Sequence, residues 1–133
     1  MERKEPYASQ EEHSQHVIRY TDVPTIELAT GIKAHIISAE KITLSIASGE
    51  LNAKLPPHRH ESEQMLIVMD GAIDLVVEGK QYRLEKGDVI VLPSNTEHGG
   101  YISERGLSAI DVFSPPRHDF VAKLEEVKKS QKK

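Results

Sequence analysis

Between residues 16 and 113 the chain alternates short apolar-rich runs with turn residues, and no long amphipathic helix interrupts them. Runs at residues 32–38, 42–47, 54–55 leading into His58, 64–69, 73–77, 81–84, 89–92 and 107–113 have strand-like length and β-branched content. Glycine punctuates them at Ser48-Gly49, Asp70-Gly71, Glu78-Gly79, Lys86-Gly87-Asp88 and Arg105-Gly106, where hairpin turns ask for positive φ. Short strands at regular spacing predict an antiparallel sandwich or barrel. One run is apolar on both faces: Met65, Ile67 and Met69 alternate with Leu66 and Val68. One face then fills the barrel and the other meets a second sheet or a partner subunit; core packing is the plainer account of the methionines, a dimer face the sharper one.

The flanks read differently. Residues 1–15 are polar and charged and predict a mobile arm. Residues 118–129 place Phe120, Val121, Leu124 and Val127 on one stripe, with Lys and Glu opposite. A helix is predicted there, after Pro115-Pro116 and with lysines in its last turn, as helix polarity favours. The chain thus divides into an arm (1–15), a β barrel (16–117) and a C-terminal helix with a lysine-rich tail (118–133).

At 133 residues and a net charge of −4, the chain is one domain able to bury its own core. No basic stripe appears outside the lysine-rich end, which argues against a nucleic-acid partner. The longest apolar run, residues 65–69, is too short to span a membrane. The first fifteen residues lack the apolar core of a secretory signal, so the cytoplasm is the expected compartment. With no cysteine, disulfides and thiolate ligands are excluded, and any metal must be held by nitrogen and oxygen.

Candidate chemistry begins at His58 and His60. Side chains two apart on an extended segment share a face. Two imidazoles on one face can both reach one transition-metal ion. His98 follows a later strand-like run, in Pro93-Ser94-Asn95-Thr96-Glu97-His98, and Gln64 offers an oxygen. These four propose a metal site, whereas His13, His16, His35 and His118 read as surface or packed residues.

The spacing resembles the two motifs of the cupin superfamily, G-x5-H-x-H-x3,4-E-x6-G and G-x5-P-x-G-x2-H-x3-N. His58, His60, Gln64 and Gly71 fall on the first, and Gly87, Pro93 and His98 on the second. Three of the departures from it need stating. Eight residues rather than five separate Gly49 from His58, Asn95 replaces the middle glycine, and Gln64 stands where most cupins carry Glu. Asn also visits the left-handed region, so the second change is mild. The third leaves the ion its full 2+ charge, which strengthens Lewis acidity, draws an anionic substrate and disfavours redox cycling with dioxygen. The resemblance, over residues 16–113, implies an all-β fold: the cupin double-stranded β-helix, a jelly-roll-like barrel, with a short C-terminal α-helix. It also implies a metal in the barrel mouth and a homodimer.

The closing segment Asp111-Val112-Phe113-Ser114-Pro115-Pro116-Arg117 is the second constellation. Asp111 and Phe113 share a strand face, and a carboxylate beside a ring asks for a partner or a wet cavity. The proline pair ends the strand stiffly and fixes where Arg117 stands. Spacing alone leaves two readings open: an Asp111–Arg117 ion pair capping the helix, or a pocket. Together, these motifs are similar to those of small cupins that linearise 4,5-unsaturated monouronates released from pectin and alginate. That likeness implies His58, His60, Gln64 and His98 as ligands of one divalent transition metal (zinc, nickel, iron, manganese or cobalt). It implies Arg117 on the substrate carboxylate, Asp111 moving the proton and Phe113 packing on the sugar ring. The expected activity is metal-dependent opening of a small anionic sugar to its linear keto form. Alternatives are an isomerase or decarboxylase of another small carboxylate, as in cupins acting on prephenate-derived acids, or a non-catalytic metal- or sugar-binding cupin. An iron-dependent dioxygenase is a further alternative, weakened by Gln64 and by an aromatic content of 5%.

Overall fold

Strands dominate the computed structural model, which describes residue 2 and residues 4–132. In chain order the elements are α1 (Gln10–His16), a 3-10 turn (Tyr20–Asp22), β1 (Thr25–Ala29), β2 (Ile32–Ser38), β3 (Thr43–Gly49) and β4 (Lys54–His58). They continue with β5 (Glu63–Val77), β6 (Lys80–Glu85), β7 (Val89–Leu92), β8 (His98–Ser114) and α2 (His118–Gln131). All strand pairs are antiparallel. The two longest, β5 and β8, pair with each other along most of their length and pass through both layers of the barrel. One layer runs β1-β2-β3-β8-β5-β7 and uses the C-terminal half of β8 with the N-terminal half of β5. The other runs β4-β8-β5-β6 and uses the opposite halves. This is the jelly-roll-like arrangement expected from the sequence.

Two of the glycine signals mark bends rather than hairpins. Gly71 has φ 75°, and the β5–β8 register shifts on either side of it. A Cβ there would run into the Gly106 carbonyl oxygen, so only glycine fits the crossing. Across from it, residues 103–106 loop out between Ile102 and Leu107, with the Arg105 N–H donating to Ser103 Oγ at 3.2 Å. A left-handed glycine makes a bulge as readily as a turn, so Asp70-Gly71 and Arg105-Gly106 join two strand runs into one bent strand each.

The core lies between the layers. Val68, Leu75, Leu92 and Ile73 are buried there, each with 2% or less of its surface exposed. Each such side chain contributes about 1.5–3 kcal/mol by leaving water. A second cluster forms where α2 docks: Leu124 packs with Ile26, Ala34 and Ile36, flanked by Phe120 and Val127. The predicted stripe of α2 is therefore the face that binds the sheet, and it sets the start of the helix over the barrel mouth. The polar start of the chain carries α1, which the sequence reading lacked. Its capping box is complete, with Ser9 Oγ accepting from the Glu12 N–H at 3.1 Å and the Glu12 carboxylate accepting from the Ser9 N–H at 2.8 Å.

Candidate metal centre

His58 ends β4, His98 opens β8, and the two face each other as a register pair. His60 sits just beyond β4, and Gln64 is the second residue of β5. One potential ligand nitrogen from each of His58, His60 and His98 lies within 4.8 Å of the others. Each ring is oriented from behind by a backbone carbonyl at Nδ1: Pro56 O at 3.0 Å, Ser62 O at 2.9 Å and Thr96 O at 2.8 Å. A neutral imidazole whose Nδ1–H donates to a carbonyl presents a lone pair at Nε2, the form in which it binds a metal.

Two observations show that the group fits a cation. Nε2 of His98 is buried and meets no protein partner. Nε2 of His60 faces Gln64 Oε1 at 3.0 Å, while the Gln64 amide Nε2 donates to Asp111 Oδ1 at 2.8 Å. The amide is thus fixed with its oxygen turned toward the imidazoles, and two acceptors face each other. Protonation is a poor remedy, because burial, aided by the nearby Arg117 charge, holds His60 below its ordinary value. Burial likewise pushes His98 down to about 4. Neutral, converging imidazoles are the donor set that a transition-metal ion takes.

Asp111 and Phe113 point inward from β8, with 6% and 3% of their surfaces exposed. Burial pushes the Asp111 carboxyl up to about 7, against the hydrogen bond from Gln64 and the Arg117 charge. Arg117 is buried too, but the ion pair it makes is not with Asp111. Its Nε and Nη2 donate to the two carboxylate oxygens of Asp119 at 3.0 and 2.9 Å. The guanidinium stacks on the Phe120 ring, 3.7 Å from its centroid, and lies 4.9 Å from the centroid of Phe113, whose ring meets Phe120 edge-on at 5.7 Å. Of the two readings left open by spacing, the helix-capping Asp111–Arg117 pair is not formed. Asp119 wins because it lies two residues from Arg117 in the exposed first turn of α2, whereas Asp111 is anchored to Gln64.

The side chains singled out in the sequence are therefore brought together. His58, Gln64, His98, Asp111, Phe113 and Arg117 line one cavity of about 70 Å³. His58, Arg117 and Phe120 also line a neighbouring groove of about 620 Å³ bordered by Asp119 and Lys123 of α2. His60 joins from the side, its ring edge-on to Phe113 at 5.5 Å between centroids. Sequence reasoning missed Ser45, Asp119 and Phe120 as neighbours of the site. Phe120 had been assigned wholly to the packing stripe; the Arg-x-Asp spacing at the helix start was the available signal for Asp119.

A bent two-layer barrel with converging histidines at its mouth defines a class: the chain belongs to the cupin family, and a family profile described as a cupin domain matches residues 45–113. Among individual proteins, it is similar to the pectin degradation protein KdgF of Dickeya dadantii (strain 3937), with 33% identity over 105 residues, covering 75% of this chain and 93% of that protein. The structure of KdgF from Halomonas sp. superposes with a TM-score of 0.68 and 31% identity, covering 74% of this chain and 92% of that one. H2HPP isomerase of Bacillus subtilis is 25% identical over 129 residues, but this chain spans only 52% of its length.

Proposed function

We propose that this cupin is a metal-dependent isomerase that opens the ring of a 4,5-unsaturated monouronate to its linear keto form. The observation that carries the reading is Asp111, a buried carboxyl beside the imidazole cluster, anchored through Oδ1 and raised to about 7. Similarity to a pectin degradation protein over most of both chains supports it. His58, His60 and His98 through Nε2, with Gln64 through Oε1, would hold one divalent transition-metal ion, which supplies Lewis-acid polarisation of substrate oxygens.

The remaining chemistry belongs to the chain. Asp119 occupies Nε and Nη2 of Arg117, and Nη1 donates to no acceptor among the described residues. That outer edge of the guanidinium receives the substrate carboxylate, in a planar fork that Arg suits. Phe113 and Phe120, edge-on to each other beside it, exclude water from the ring. Asp111 takes the proton from the anomeric hydroxyl. The bond from the anomeric carbon to the ring oxygen breaks as the carbonyl forms, and the enolate released collects the same proton at its alkene carbon. A carboxyl poised near neutrality can do both halves of this transfer.

The relative named H2HPP isomerase supports a second reading, isomerisation of another small carboxylate on the same residues. Proton NMR of 4,5-unsaturated galacturonate with metal-loaded protein separates the two. The open keto form should accumulate faster than in buffer, with no dioxygen consumed. A spectrum no different from buffer would move the search to other carboxylates, and oxygen uptake would move it to oxygenases.

We further propose that the chain works as a homodimer. The outer face of the first layer leaves Met65 51%, Val89 53%, Val91 50% and Met69 45% exposed, a contiguous apolar surface that a second copy would cover. Sedimentation should give a dimer for the wild type and a monomer for Met65→Glu. A wild-type monomer at all concentrations would remove this part of the proposal.

A further inference from the structure

Among the described residues, two buried side-chain polar atoms have no hydrogen-bond partner, His98 Nε2 and Ser45 Oγ. Both belong to residues that line the same inner cavity. Native interiors rarely leave such groups unpaired, so each asks for a reason. The imidazole cluster supplies one for His98; it supplies none for Ser45.

Ser45 lies on β3 opposite Asp111 of β8, and Thr43 lies opposite Phe113. Residues paired across antiparallel strands carry their side chains on the same face, so the Ser45 hydroxyl stands beside the Asp111 carboxyl. It makes no hydrogen bond to it: the Asp111 side chain bonds Gln64 instead. Thr43, by contrast, is satisfied, accepting the Arg117 backbone N–H at 3.0 Å and meeting the Ser38 hydroxyl at 2.8 Å. One row deeper, the paired cavity positions are Ala47 and Ala109. Alanine is therefore what this fold uses when the row needs only packing, and a hydroxyl at position 45 costs stability unless something in the cavity bonds it.

We propose that Ser45 is a substrate-binding residue whose Oγ hydrogen-bonds a hydroxyl or ring oxygen of a small polyhydroxylated carboxylate, on the Asp111 side of the cavity. The inference rests on the ring-opening function proposed above and extends it to a group that holds the sugar in register with Asp111. A serine hydroxyl both donates and accepts, so it suits an oxygen-rich sugar and penalises an apolar occupant.

The test compares wild type with Ser45→Ala, both metal-loaded, in steady-state turnover of 4,5-unsaturated galacturonate, alongside metal content and thermal melting without substrate. The result expected is a KM raised about tenfold with kcat within threefold, unchanged metal content, and a melting temperature higher by about 2–5 °C. A merely structural hydroxyl would lower the melting temperature and leave KM alone, and either result overturns the proposal. If the wild type fails to open the ring, the uronate reading falls by itself. The melting comparison still decides Ser45: a lower midpoint in Ser45→Ala makes the hydroxyl structural, and a higher one keeps it as a ligand group.

Discussion

His98→Ala should yield a folded barrel that no longer retains a stoichiometric metal ion and opens the ring no faster than buffer. Nε2 of His98 is buried without a protein partner, so the ring contributes nothing to internal hydrogen bonding there beyond its Nδ1 contact to Thr96 O. Removing a residue that merely orients a ligand costs about 10–100-fold in metal affinity, and removing one of three imidazoles outright should exceed that. Metal content after dialysis and calorimetric titration with zinc read the loss directly, and circular dichroism confirms the fold. One tightly held ion per chain in this variant would place the metal site elsewhere.

Asp111→Asn should do the opposite: keep the metal and lose turnover by about 10²–10⁴-fold, the usual worth of a positioned acid–base group. The asparagine oxygen still accepts from Gln64 Nε2, so the amide keeps its orientation toward the imidazoles. If the metal is lost along with activity, Asp111 acts through Gln64 rather than on substrate. The same variant carries a pH signature after chelation. Burial raises the Asp111 carboxyl from 3.8 to about 7 on folding. Between those values the folded chain holds a proton that the unfolded chain has released. Stability therefore falls as pH rises through that window, and the loss is complete above about 7. Asp111→Asn does not share this loss, so its melting temperature should match the wild type near pH 4 and exceed it at pH 8. Parallel curves across that range would contradict a raised Asp111.

Much of this was legible because alternation and spacing are local. The runs at residues 32–38 and 89–92 coincide with β2 and β7. The His-x-His spacing gathered two imidazoles before any fold was known. What was lost depended on partners far along the chain. The first half of β8 was not read as strand because Gly99 and Gly100 interrupt its apolar pattern. A Cβ on Gly99 would lie 2.7 Å from the Leu55 carbonyl oxygen, so the residue is small to admit β4, not to make a turn. β1, Thr25–Ala29, was missed although Ile26 and Leu28 alternate there with Thr25 and Glu27, a signal the sequence did offer. The capping box Ser9–Glu12 was readable and marks α1. Asn95, flagged as able to take the left-handed region, does so with φ 60°. Ser45 could not be found from sequence, since only the β3–β8 register turns it toward Asp111.

The central claim is that the histidine cluster and Asp111 together open an unsaturated uronate ring, and one comparison tests it most directly. The ultraviolet band of the conjugated enol ether in 4,5-unsaturated galacturonate is followed with metal-loaded protein, chelated protein and a buffer blank. Because the ring also opens slowly unaided, initial rates are compared. The account predicts rapid decay with the metal-loaded protein alone, and decay at the blank rate in the other two. Blank-rate decay in all three, with one metal ion per chain verified, would contradict it.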